Sequence, residues 1–251
     1  MRRKKQGSLE WMEFDLLSNS PKIFHRLFLR HGGVSENEFH SLNAAYEIGD
    51  KIEHVDENIS TIRKNLSYSK LIWAKQCHGT NILPVSLDSH EKMNDCDGFI
   101  TNQAKTALMI KHADCQAAIF YDPINHALAN IHSGWRGSVQ NIYSKTIDLM
   151  HKTYGSKPKN ILVCISPSLG PKFAEFSNYK KELPKDFWDF QDMEKHFNFW
   201  EISRMQLKKK GILPQHIEIA EICTFEEKKD FFSFRREKKT GRHGCVAMLL
   251  K

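Results

Sequence analysis

The sequence predicts one α+β or α/β sandwich, with mixed β-sheets and flanking helices in a single domain. Three observations predict it. Strand-like apolar runs are spread from Leu9 to Leu250. No Gly/Ser/Pro-rich linker divides the 251 residues, a length that fits one large α/β domain. Strands come first and then alternate with helices, which favours a mixed sheet over a doubly wound parallel fold. Residues 1–19 read as an N-terminal tail and first strand, and residues 20–251 as the body of the domain.

Element by element, the basic start Met1–Gln6 reads as a solvated tail. Leu9–Leu17 and Ile23–Leu29 read as strands, followed by a glycine turn at Arg30-His-Gly-Gly-Val-Ser35. Asp50 is placed to cap a helix over Lys51–Leu66, whose Ile52, Val55, Ile59 and Ile62 share one face. A strand-rich centre follows: Leu71–Lys75, Asn81–Ser86, Gly98–Thr101, Thr106–Ile110, Gln116–Tyr121 and Ala127–Ile131. Tyr121-Asp-Pro-Ile-Asn125 reads as a hairpin turn. Gly137 precedes a helix over Ser138–Tyr154 with Val139, Ile142, Tyr143, Thr146 and Met150 on its stripe. Asn160–Ile165 reads as a buried strand, Asp186–Gly211 as helical, and His216–Ile222 and Cys245–Leu250 as strands.

Composition narrows the function classes. The apolar stretches are strand-sized, so no membrane span fits. Three acids in Ser8–Asp15 stand where a signal peptide would need an apolar core. A cytoplasmic protein is expected. Six scattered cysteines without a CxxC read as reduced thiols. The net charge of +7 is not gathered into basic patches interleaved with aromatics, so no nucleic-acid partner is expected.

Three residues stand at strand ends beside glycine turns. They are His78 in Gln76-Cys-His-Gly79, Cys115 in Ala113-Asp-Cys115, and His132 in His132-Ser-Gly-Trp-Arg-Gly137. Two imidazoles and a thiolate suit Zn²⁺, and three protein ligands leave a fourth position open, as in catalytic zinc sites. Each also has a bland reading. His78 could be a turn histidine, and Cys115 an ordinary buried thiol. His112 and His126 are alternative ligands that lack a glycine turn. Asp114 is placed to orient an imidazole or to act as a general base. The alternative is a turn aspartate. Phe231–Arg242 carries paired arginines on an expected hairpin. It is either a phosphate clamp or a solvated turn.

Taken together, Gln76-Cys-His-Gly79, Asp97-Gly98, Ala113-Asp-Cys115, His132–Gly137, Ser166-Pro-Ser-Leu-Gly-Pro171, Cys223-Thr224, Ser233-Phe-Arg-Arg236 and Thr240-Gly-Arg242 resemble the YfiH family. So do His25–Ser35 and Asn43. The family is also called the polyphenol oxidase/laccase-domain or purine nucleoside phosphorylase family. The resemblance spans roughly residues 20–250. It implies a single-domain sandwich related to the cytotoxic necrotizing factor catalytic domain, and zinc, with copper as the alternative, on His78, Cys115 and His132. It also implies phosphorolysis of adenosine, inosine and methylthioadenosine, with adenosine deamination as a second activity. The chain departs from the family in Gln116-Ala117, Ser133, Ser166-Pro-Ser-Leu-Gly170 and Lys172-Phe-Ala-Glu-Phe176, which bears on substrate preference.

The expected site therefore has Asp114, Cys115 and Arg136 as catalytic residues. Arg30, Arg136, Arg235 and Arg242 are expected to hold phosphate. The expected partners are a nucleoside and phosphate, with no membrane, and the expected state is a monomer. Two other readings stand beside this one. One is a Cys115–His132 hydrolase or amidase editing a peptidoglycan precursor. The other is a copper-dependent polyphenol oxidase, disfavoured because 13 histidines contain no HxH pair.

Overall fold

The computed structural model describes residues 1–66 and 70–251. Among them the strands are β1 (Arg2–Gln6), β2 (Leu9–Glu13), β3 (Ile23–Phe28), β4 (Lys70–Ala74), β5 (Ile82–Pro84), β6 (Lys92–Met93) and β7 (Gly98–Thr101). They continue as β8 (Thr106–His112), β9 (Gln116–Asp122), β10 (Ala127–Ser133), β11 (Leu162–Ile165), β12 (Ile217–Ile219) and β13 (His243–Leu249). The helices are α1 (Asp15–Ser18), α2 (Ile52–Lys64), α3 (Trp135–Val139), α4 (Ile142–Tyr154), α5 (Tyr179–Glu182), α6 (Phe199–Lys209) and α7 (Phe234–Glu237).

Two mixed sheets face each other, as the sequence predicts. One runs β1-β2-β3-β13-β8-β4-β6 and the other β12-β11-β9-β10-β7-β5. Leu27, Ile72, Leu108, Ile110 and Leu249 of the first sheet meet Phe99, Ile119, Tyr121 and Leu128 of the second in the central core. Outside the first sheet, α2 covers Met109, Val246 and Met248 with Val55, Ile59 and Ile62. Outside the second, α4 and α6 cover Phe120, Ala129 and Ile131 with Ile142, Tyr143, Ile147 and Leu207. β8, β9, β10 and β13 are thus buried on both faces, which is why they read as continuous apolar runs. Removing a ring such as Phe99 from this packing costs about 3–5 kcal/mol. Asn130, midway along β10, bridges the sheets by donating from Nδ2 to the carbonyls of Leu108 and Cys245, both at 2.9 Å.

Several local expectations are corrected. Met1–Gln6 is no tail. Arg2–Gln6 forms β1, paired antiparallel with β2, and Arg2 and Arg3 bind Asp15, Glu10 and Asp230. The strand expected over Leu9–Leu17 is β2 and stops at Glu13, where α1 follows. Asp50 does not cap α2: its Oδ2 accepts from Ser35 and Asn43, and Ile52 is exposed. The helix expected over Ser138–Tyr154 is two helices. Asn141 adopts φ 53° between them and caps α4 by accepting from the Ser144 amide at 3.1 Å. Within Asp186–Gly211 only Phe199–Lys209 is α-helical, beginning where Asn198 accepts from Trp200 and Glu201. The arginine-bearing hairpin is instead the short helix α7.

Candidate metal and substrate site

Strand ends bring the site together. β4 and β8 run parallel in one sheet, while β9 and β10 form an antiparallel hairpin in the other. His78 follows β4, Cys115 lies in the turn that carries the chain from β8 to β9, and His132 is near the end of β10. Their donor atoms all lie within 4.8 Å of one another, close enough for one ion. The His78 and His132 rings meet edge-on, with centroids 4.9 Å apart. Gly134 presses against them. A Cβ there would stand 3.1 Å from His78 Cδ2 and 3.2 Å from Cys115 Sγ, so a side chain would crowd the donors. The group could hold a metal.

The carboxylate that orients the site is Asp97, not Asp114. Asp97 is fully buried, and its Oδ1 lies 2.8 Å from His132 Nδ1. It accepts from the backbone amides of His78 (2.9 Å) and Gly79 (2.7 Å), and lies 3.0 Å from Cys77 Sγ. These bonds hold His78 at a positive φ of 59°. Burial alone would raise the Asp97 carboxyl, but hydrogen bonds from His132 and Cys77 bring it down to about 2. Burial likewise works against charge on Cys115 and His132. Their mutual attraction overcomes it, lowering the thiol and raising the imidazole. A thiolate beside a carboxylate-anchored imidazole is a donor set that suits zinc, and such anchoring is usual for a metal-binding histidine.

Asp114 lines the same cavity in a left-handed conformation, φ 83°. Its Oδ1 accepts from the Thr224 hydroxyl at 2.7 Å and its Oδ2 from the Arg235 amide at 2.6 Å. It therefore fastens two distant loops to the β8–β9 turn. His112 also lines the cavity, but it lies outside the three-donor group, and burial pushes it down to about 3. His126 contacts the Leu250 carbonyl instead.

The cavity measures about 670 Å³. Arg136, Arg235 and Arg242 line it, with Trp135, Phe176 and Phe199 forming an aromatic wall. The Arg136 guanidinium stacks on Trp135, 4.2 Å from its centroid. Arg242 donates from Nη1 to the carbonyls of Thr240 and Gly241. Arg30 does not line the cavity. Its side chain donates to the carbonyls of His40 and Lys228 and packs on Phe232, so it serves the fold. Arg236 is also structural, donating to the carbonyls of Thr224, Phe225 and Phe231.

Sequence reasoning passed over the chemistry of Asp97 and the cavity positions of Lys111 and Phe176. Lys111 is legible in hindsight as the one Lys or Arg inside an otherwise apolar strand. Asp97 entered only through the Asp97-Gly98 motif of the resemblance, with no role attached.

A family model described as multi-copper polyphenol oxidoreductase laccase matches residues 24–250. A purine nucleoside phosphorylase of Bacteroides thetaiotaomicron is 30% identical over 242 residues, covering 89% of this chain and 90% of that protein. The purine nucleoside phosphorylase YfiH of Escherichia coli K12 is 30% identical over 230 residues, covering 88% and 91%. Among solved structures, Bacillus licheniformis YfiH superposes with a TM-score of 0.88 at 25% identity over 99% of each chain. YlmD from Geobacillus stearothermophilus superposes with a TM-score of 0.87 at 24% identity, again over 99% of each chain. Among the described residues no helix is long and apolar enough to cross a membrane.

Proposed function

The chain belongs to the multi-copper polyphenol oxidoreductase laccase family, the same YfiH family that its motifs resemble, and on that footing we propose that it is a zinc-dependent purine nucleoside phosphorylase. Its substrates are adenosine, inosine and methylthioadenosine, with adenosine deamination as a second activity. The observation that carries this reading is the convergence of His78, Cys115 and His132 in a cavity that also holds three arginines and an aromatic wall. Zinc held by these three residues would supply Lewis acidity at an open fourth position.

The chain's own residues account for binding and charge. A phosphate oxygen attacks C1′ of the ribose while the bond from C1′ to the base nitrogen breaks. The products are the free base and ribose 1-phosphate, or 5-methylthioribose 1-phosphate where the substrate is methylthioadenosine. Arg136, Arg235 and Arg242 hold the phosphate, and a preorganised cationic wall offsets the charge that moves in the transition state. Trp135, Phe176 and Phe199 offer flat faces for the purine. Phosphate enters as its monoanion and gives up one proton, which Asp114 takes and passes to the leaving base nitrogen. Each Asp114 carboxylate oxygen already accepts one hydrogen bond and keeps a further lone pair.

A specific feature supports a second reading, that of a cysteine hydrolase. Cys115, His132 and Asp97 stand in the order thiol, imidazole, carboxylate, as a nucleophile, base and orienting acid would. Chelation separates the two readings. Purified protein should release hypoxanthine from inosine only with inorganic phosphate present, lose that activity on chelation, and regain it with zinc. Cys115→Ala should hold no zinc. No base release from inosine plus phosphate would sink the first reading. Activity that survives chelation would favour the second.

A further inference from the structure

Lys111 sits within β8 and is 9% exposed. Among the described residues its ammonium has no hydrogen-bond acceptor and no ion pair. Glu47 attracts it from a distance, while Lys92 and Arg242 repel it. Glu47 is itself paired with Lys92 at 3.5 Å. A buried cation without a counter-ion is costly to the fold. Its backbone is nonetheless held firmly. The Gln76 side chain donates to the Lys111 carbonyl at 2.7 Å and accepts from its amide at 2.8 Å, extending the contact between β4 and β8 beyond their paired residues. Lys111 lines the same cavity as Arg242, whose Nε and Nη2 have no protein acceptor among the described residues.

We propose that Lys111 and Arg242 form a phosphoryl-binding subsite of the cavity. The ligand is a phosphate anion, either the free co-substrate or the phosphate ester of a nucleotide. It supplies Lys111 with the close counter-charge that the protein withholds, while Arg242 is also drawn by Cys115 and Asp114. The choice between these two sources rests on the phosphorolysis reading, but the subsite does not.

The test titrates inorganic phosphate, and separately adenosine 5′-monophosphate, into wild type and Lys111→Met by calorimetry. The variant should bind one probe about tenfold more weakly, because a charge-assisted contact is lost. It should melt no lower than wild type, because an unneutralised buried charge has been removed. Lys111→Arg should restore part of the affinity. A loss for inorganic phosphate identifies the co-substrate, and a loss confined to the nucleotide identifies an ester. Unchanged binding of both probes overturns the proposal, even if wild type phosphorolyses inosine. Weakened binding in a protein that releases no base keeps the subsite and sinks the reaction. Should Lys111→Met not fold, acetylation of wild-type Lys111 followed by mass spectrometry decides. Burial pushes its ammonium down to about 8, so it is reactive near neutrality. Protection by either probe is expected, and equal labelling with and without both overturns the subsite.

Discussion

Asp97 Oδ1 and His132 Nδ1 lie 2.8 Å apart in a buried pair, which leaves Nε2 of that imidazole to meet the Cys115 thiol. The same carboxylate takes the His78 and Gly79 amides. One buried acid therefore sets both histidines.

Asp97→Asn should weaken zinc binding by about 10–100-fold, the usual effect of removing such an anchor. Competition with a chromogenic chelator measures it. Wild-type affinity in the variant would show that the donors orient themselves.

Gly134→Ala should also weaken zinc binding, through crowding rather than charge. The added methyl would stand 3.1 Å from His78 and 3.2 Å from Cys115. Far-ultraviolet circular dichroism should be unchanged. If zinc affinity is unchanged as well, the donors have slack that the packing does not suggest.

Arg30 and Arg242 should separate cleanly. Arg30→Met loses charge-assisted bonds to two carbonyls and should lower stability by about 2 kcal/mol in urea, with the KM for phosphate unchanged. Arg242→Met should raise that KM. The opposite pattern would return Arg30 to the site.

Acid should destabilise the protein through buried neutral histidines. His25 accepts from the Phe14 amide, and burial pushes it down to about 4. His243 accepts from the Phe232 amide and is also lowered by burial. An unfolded chain takes up these protons near 6.5, so stability is full above that pH and falls as pH drops toward 4. The slope is about 1.4 kcal/mol per pH unit for each histidine. Urea unfolding at several pH values should show it, and His25→Gln should flatten it. An unflattened slope would rule His25 out as a source.

The central strands β8, β9, β10 and β13 were legible because packing covers both their faces, so each reads as a continuous apolar run. The three candidate donors were legible because a glycine turn follows two of them. The parts that were not legible depended on tertiary partners. Asn141 ends one helix and starts another through a backbone angle that no periodicity reveals. Residues 185–197 hold aromatics that suggest an α-helix, yet Lys185–Phe190 forms a 3-10 helix and the rest is irregular, packing around Phe187 and Phe197. Asp114 was placed beside the metal by adjacency in sequence. The fold instead turns its carboxylate to Thr224 and Arg235 and brings in Asp97 from 35 residues before His132.

His78 hangs from the seven-stranded sheet, His132 belongs to the six-stranded one, and Cys115 lies on the strap between them. An ion shared by the three would rivet the two halves of the sandwich together at one rim. Heat resistance would then follow supply: at a free ion concentration one hundred times its dissociation constant, the gain is about 2.7 kcal/mol. Cells short of the metal would hold a looser protein, more open to proteases along that seam.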